Sequence, residues 1–404
     1  RYDEMKGFNL SLDMTRGKPG SKQLDLSMEL LNLPGDQYMS ENGDCRNYGV
    51  PYGIKEVREL FAAMLDTRPE LIIAGNNSSL EMMYDTLMRA MVLGEVDSDQ
   101  PWSLEPKRKW LCPVPGYDRH FLITERLGFE MINVPMNSDG PDMDEVERLV
   151  KDDPTIKGMW CIPLYSNPDG YVFSEDVCAR LTSMKTAAKD FRILWDNAYS
   201  VHHLYDDCQG HIPDILGLAE ANGNPNRVYE FASMSKVTFS GSGIACMASN
   251  IDNIEYVKKQ LLVRSIGSDK INQLRHVQYL KDLDGVKALM KKHAKLIVPK
   301  FEKVEEVMCR ELEGKDVARW NNPLGGYFIS VYVMEGTARR IVDLAKSVGV
   351  VLTPAGATFP YGKDPKDTNI RLAPTFPELS DIEDAVTIFS ICAKLAAVEK
   401  LLEA

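Results

Sequence analysis

No apolar run in this chain approaches the ~20 residues that a membrane-spanning helix requires, so no such span is expected. Positive charge is in deficit: 47 Lys and Arg stand against 59 Asp and Glu, for a formal net charge of −12. That balance argues against a broad nucleic-acid or anionic-membrane surface, because both need clustered positive charge. Any anion must be bound locally. Eight cysteines, at 45, 112, 161, 178, 208, 246, 309 and 392, form no CxxC pair and no Cys/His spacing of a zinc site. In a chain this long they read as reduced thiols of a cytoplasmic protein. Internal repeats and low-complexity linkers are also missing, and Arg1-Tyr2-Asp3-Glu4 does not open like a secretory signal.

What the chain does contain is enough apolar material, 44% of 404 residues, for one large core and a smaller one. Short apolar runs at Leu71–Ala74, Lys109–Cys112, Met131–Val134, Met159–Ile162, Arg192–Trp195, Val228–Phe231 and Ile244–Ala248 alternate with helical patterns such as Ser79–Met91, Arg119–Leu127 and Val177–Lys189. This alternation predicts an α/β fold with a mainly parallel, seven-stranded sheet covered by helices. Beyond it lie a helical stretch from Lys270 to Leu312, a strand block Gly326–Val333, a helix Thr337–Val348 and a final helix Asp381–Leu402. Two domains are expected: residues 48–290, and a smaller α+β unit of residues 1–47 plus 291–404.

Ligands of parallel sheets sit at the carboxyl ends of the strands. At those ends the sequence places an amine, Lys236 in Ser233-Met234-Ser235-Lys236; a carboxylate, Asp196, with the phenol Tyr199 three residues on; and an amide, Asn167, in Asn167-Pro168-Asp169-Gly170. Together these four groups suit holding a pyridinium aldehyde as a Schiff base. Gly75-Asn76-Asn77 lies between a strand and a helix, where free backbone N–H groups favour phosphate, although an ordinary helix cap would use the same residues.

Taken together the chain resembles the class I/II aminotransferases, the fold-type I enzymes that use pyridoxal 5′-phosphate, from about Gly17 to the final helix. The matching pieces are Tyr48 with Gly53, Pro115-Gly116-Tyr117 with Gly128, Asn167-Pro168-Asp169-Gly170, Asp196 with Tyr199, Ser233 with Lys236, Pro354-Ala355-Gly356 with Phe359, and Asn369-Ile370-Arg371-Leu372. The resemblance implies that Lys236 anchors the cofactor covalently and then carries the proton between substrate Cα and cofactor C4′. It implies that Asp196 keeps the pyridine nitrogen protonated, that Asn167 and Tyr199 bond the phenolic oxygen, and that Tyr117 stacks on the ring. Gly75, Asn76, Asn77 and Ser233 would cradle the phosphate, with Tyr48 reaching in from a neighbouring subunit of a homodimer that shares its active sites. Arg371 would clamp the substrate α-carboxylate, and Gly17 would leave room beside it.

Two positions depart from the family pattern. Ile244 stands eight residues after Lys236, where an arginine usually neutralises the phosphate, so Ser240, Ser242 or a cation from elsewhere must serve. His120 occupies a position where a second tyrosine is common, and a lone histidine is more often structural than catalytic. For the substrate side chain, Arg264 falls where aspartate aminotransferases place an arginine across the dimer, and Arg16 adjoins Gly17; a surface salt bridge accounts for either equally well. The two favour aspartate or glutamate with 2-oxoglutarate as acceptor, in a ping-pong transamination. A lyase or decarboxylase on the same scaffold is the rival enzyme. The aminotransferase-like domain of a transcription regulator is the rival from another class, disfavoured by the acidic balance and the lack of a helix-turn-helix pattern before Tyr48.

Overall fold

The computed structural model describes residues 1–7 and 11–403. All seven expected strands form: β1 (Ile72–Ala74), β2 (Lys109–Val114), β3 (Glu130–Asn137), β5 (Ile156–Cys161), β6 (Arg192–Asp196), β7 (Val228–Ser233) and β8 (Ala245–Ala248). An eighth, β4 (Gly140–Pro141), is two residues long and adds itself antiparallel to β3. The order across the sheet is β1-β8-β7-β6-β5-β2-β3-β4. From β7 to β3 every pairing is parallel, whereas β8 runs antiparallel to both β7 and β1.

Every residue of β5, β6 and β7 is buried, which explains why these strands read as unbroken apolar runs rather than as an alternation. The period of two is still present in where the side chains go. On β7, Val228 and Ala232 join a core with Phe61, Phe191 and Trp195, while Tyr229 and Phe231 join another, on the other side of the sheet, with Trp102, Trp110 and Trp160. Helices therefore cover both sides of the sheet. One of them ends early: the periodic pattern runs on to Lys189, yet the helix stops at Ser183. The Arg227 guanidinium donates to the carbonyls of Leu181, Thr182 and Met184 at 3.3, 3.0 and 2.8 Å, occupying the acceptors that a further turn would have needed.

A second, antiparallel sheet is built from β9 (Ala318–Trp320), β10 (Ile329–Val333) and β11 (Asn369–Leu372), in that order. It shares a core with helices Leu283–Leu312, Ala338–Ser347 and Leu379–Glu403, through residues such as Val304, Ile341, Val331, Leu372 and Phe389. The N-terminal Leu12–Asp13 pairs in parallel with Val350–Val351 on this side of the molecule.

Asp169 joins the loop after β5 to the second sheet. Its carboxylate accepts from the Tyr332 hydroxyl at 2.8 Å, and its carbonyl from Asn321 Nδ2 at 3.0 Å. Burial pushes its carboxyl up from 3.8 to about 6, against the opposing pull of hydrogen bonds from Ser330 and Tyr332. The folded state therefore holds this proton more tightly than the unfolded chain, and stability falls as pH rises through that window. Asp169→Asn keeps the acceptor and removes the charge. Its melting temperature should match the parent near pH 4 and exceed it by roughly 2–4 °C above pH 6, on the scale of about 2–3 kcal/mol; melting curves across pH check this.

Candidate active site

Because β7, β6, β5 and β2 lie side by side and parallel, the segments leaving their carboxyl ends emerge in a row, with neighbouring strands ~4.8 Å apart. Lys236 follows β7, Asp196 ends β6, Asn167 follows β5 and Tyr117 follows β2. Sequence-distant groups become neighbours through strand pairing alone, with Phe231 directly opposite Asp196 and Trp195 opposite Cys161.

Lys236 Nζ lies 5.0 Å from the centre of the Tyr199 ring. Desolvation pulls its amine below the ordinary lysine range, with Asp196 opposing, so a neutral nucleophilic amine is more accessible there than in water. The Tyr199 hydroxyl is buried and held well above its usual pKa by desolvation, with the charges of Tyr117 and Asp196 adding to the effect. Tyr327 donates to the Lys236 carbonyl at 3.3 Å, and its hydroxyl accepts from Gln23, which also meets His293 Nδ1 at 3.1 Å. A polar chain from the N-terminal segment thus supports the lysine turn from beneath.

Asp196 is 5% exposed. His120 Nε2 lies 3.1 Å from its Oδ2 without hydrogen-bond geometry, and its Oδ1, like His120 Nε2, is buried without a hydrogen-bond partner among the described residues. Such an orphaned carboxylate oxygen calls for a donor from a bound group. His120 is stacked 4.2 Å from Trp160 with the rings 10° from parallel, and Tyr117 meets its edge at 5.0 Å. Burial, with Asp118 and Asp196 nearby, pushes the Tyr117 hydroxyl up to about 12.

Arg371 reaches across from β11. Its Nη1 donates to Asn167 Oδ1 at 3.2 Å and to Asp118 Oδ1 at 3.1 Å, its Nε is buried without a partner among the described residues, and its guanidinium lies 4.7 Å from the Phe328 ring centre. A Cβ on Gly17 would come within 2.5 Å of that same ring. Gly17 is therefore needed for close approach, not for an unusual backbone angle.

At the other end of the site Ser78 caps the helix Ser79–Leu93 by accepting from Glu81 N at 3.2 Å, which leaves the Gly75-Asn76-Asn77 turn ahead of the cap. Ser235 Oγ donates to the Asn77 carbonyl at 3.2 Å and accepts from Ser233 at 3.1 Å, so the lysine turn and this turn are tied together. Asn76 Oδ1 accepts from Asp269 N at 3.2 Å. Ile244 is fully buried. A cation stands on the same loop all the same: Arg275, from the helix Lys270–Leu280, donates to the Ser242 carbonyl at 3.3 Å and also contacts its hydroxyl.

Three expected residues make no side-chain hydrogen bond to these groups among the described residues, although Arg264 lines one cavity with Gly75 and Asn76. Tyr48 is 81% exposed and Arg16 is exposed. Arg264 is ion-paired with Glu81 at 3.0 Å and Asp85 at 2.6 Å in its own chain. Conversely, His120 and Asp118 were not singled out from the sequence as site residues, although their places one and three residues after Tyr117, at the start of a helix, could have signalled them.

The model of the family described as aspartate amino-transferase matches residues 1–404. The aspartate aminotransferase of Corynebacterium glutamicum is 49% identical over 401 residues, covering 99% of this chain and 92% of the relative. A crystal structure of an aspartate transaminase from that organism superposes with a TM-score of 0.97 at 49% identity, covering 99% of this chain and 94% of that one. The α-aminoadipate aminotransferase of Thermus thermophilus, crystallised with N-(5′-phosphopyridoxyl)-L-leucine, shares the fold at a TM-score of 0.77 and 19% identity, covering 98% and 95%. The α/β fold with its mostly parallel sheet is that of the fold-type I aminotransferases. The chain belongs to the aspartate amino-transferase family and is an aminotransferase.

Gly17→Ala should force the Phe328 ring away from Arg371 and raise KM for the amino acid about tenfold, or ~1.4 kcal/mol, with kcat much less affected. Steady-state kinetics alongside a melting curve will show whether the loss is in binding rather than in folding.

Proposed function

We propose that the chain transfers the amino group of aspartate or glutamate to 2-oxoglutarate by a ping-pong mechanism, using pyridoxal 5′-phosphate. The observation that carries the cofactor reading is the unpartnered, buried Asp196 Oδ1 one strand away from a desolvated lysine amine. A protonated pyridine nitrogen is the donor that this oxygen lacks. When bound, the cofactor supplies an aldehyde for the amine and a ring that accepts electrons as the Cα–H bond breaks.

In this reading Lys236 would hold the cofactor through its amine and, once free, would serve as the general acid and base that moves the substrate Cα proton. Asp196 would keep the ring nitrogen protonated, with His120 beside its other oxygen. Asn167 and Tyr199 would donate to the phenolic oxygen, and Tyr117 would stack on the ring. Gly75, Asn76, Asn77 and Ser233 serve the phosphate, where Arg275 supplies the positive charge that Ile244 cannot. Arg371 receives the α-carboxylate through a planar fork that a lysine could not present.

The choice of a dicarboxylic substrate rests on the aspartate aminotransferase of C. glutamicum at 49% identity and on the two arginines, Arg264 and Arg16. A homodimer follows from the exposed apolar residues Leu262, Val263 and Ile266, together with Tyr48, which suit burial against a second copy that would lend Tyr48 to the site. The setting is cytoplasmic, consistent with eight unpaired cysteines.

Mixing holoenzyme with single amino acids and no keto acid should bleach the absorbance of the lysine–cofactor linkage, fastest with aspartate and glutamate. Lys236→Ala should lack both that absorbance and turnover. Sustained product release without any keto acid would identify a lyase or decarboxylase instead. Mixed dimers test the shared site: a Lys236→Ala chain combined with a Tyr48→Ala chain should recover activity that neither has alone.

A further inference from the structure

Arg371 carries a resident counter-ion. A guanidinium has five N–H donors, two on each terminal nitrogen and one on Nε. Here the two on Nη1 are taken, by Asp118 Oδ1 at 3.1 Å and Asn167 Oδ1 at 3.2 Å. The Phe328 ring lies 4.7 Å from the guanidinium carbon, and Nε is buried without a partner among the described residues. What is left for a ligand is the Nε–Nη2 edge, which presents two parallel N–H groups to a carboxylate. The two acceptors differ in kind. Asn167 is neutral, while Asp118 brings a full negative charge, and its side chain is 30% exposed against 5% for Arg371.

We infer that Asp118 is a positioning and affinity-setting residue for carboxylate recognition: it orients Arg371 so that substrate meets the Nε–Nη2 edge, and its charge holds down the site's affinity for anions. The inference rests on the reading that Arg371 receives the substrate α-carboxylate. The physical logic is that of two carboxylates on one guanidinium. Each weakens the other, so the resident one raises the free energy of every bound carboxylate, substrate and product alike. An enzyme that must release a keto acid before binding the next substrate loses nothing to such a brake when substrate is abundant, because very tight ground-state binding does not raise kcat.

Asp118→Asn and Asp118→Ala separate the two roles. Asparagine keeps an oxygen acceptor for Nη1 and deletes the charge; alanine deletes both. The probe is propionate, a carboxylate that cannot react, titrated calorimetrically into holoenzyme and tested as a competitive inhibitor. Asp118→Asn should bind propionate about 3–10-fold more tightly and show a KM for the amino acid lowered to match, with kcat within twofold. Asp118→Ala should lose at least fivefold in kcat, because the fork is no longer held in register. Unchanged or weaker propionate binding in Asp118→Asn overturns the inference, as does an Asp118→Ala enzyme with the parent kcat. A change in melting temperature alone, with neither KM nor kcat moved, would reduce Asp118 to an acidic residue at a helix N-terminus and overturns it equally. Arg371→Lys is the control that tells the two readings apart. If it binds propionate as well as the parent does, the carboxylate site assigned to Arg371 is wrong. If it loses binding while Asp118→Asn matches the parent, only the role of Asp118 fails.

Discussion

Parallel hydrogen bonding between β5, β6 and β7 is the constraint on which the site depends. Main-chain pairing sets Phe231 beside Asp196 and Trp195 beside Cys161, and from those two pairs the positions of Lys236, Asp196 and Asn167 follow. No side chain could hold these groups in place as rigidly, because the three strands are buried on both faces and a shift of one residue would turn every apolar residue toward the wrong core. The groups proposed for catalysis lie at or just past the end of that rigid platform, where the chain is free to turn but its starting direction is fixed.

Burial then does electrostatic work. Desolvation lowers the Lys236 amine and raises the hydroxyls of Tyr117 and Tyr199, all within reach of Asp196. The charged groups have few neighbours: Asp196 has His120 beside it, and Arg371 donates to Asp118 and Asn167. Each keeps one polar atom unspent, Oδ1 on Asp196 and Nε on Arg371. Unsatisfied buried polar atoms cost stability in a folded chain, and an acceptor on Asp196 together with a donor on Arg371 suits a ligand with a donor at one end and an acceptor at the other.

The platform could be read from the sequence because doubly covered strands are apolar runs punctuated by the polar residues that follow them; Asp196 and Asn167 were visible for that reason. The short β4 was not, since two residues carry no periodicity. Nor was the early end of the helix at Ser183, which is decided by Arg227 from more than forty residues away. His120 shows the limit most clearly. It lies on a helix beside a carboxylate from a distant strand, and its spacing after Tyr117 could flag the position but not that neighbour. Arg264 illustrates the reverse case, a residue singled out by position whose guanidinium in this chain faces Glu81 and Asp85.

The two sides of the cleft differ in how much change they can absorb. On the floor, β7 sends alternate side chains into two different cores, so a mutation that alters the lysine turn disturbs packing above and below at once. On the opposite wall, Arg371 sits on an edge strand of a small sheet, beside Phe328 and a glycine whose only requirement is room. Drift in substrate preference among relatives, and any attempt to redirect it by design, therefore has its freedom on that wall: the chemistry is inherited with the platform, while selectivity can be varied without dismantling it.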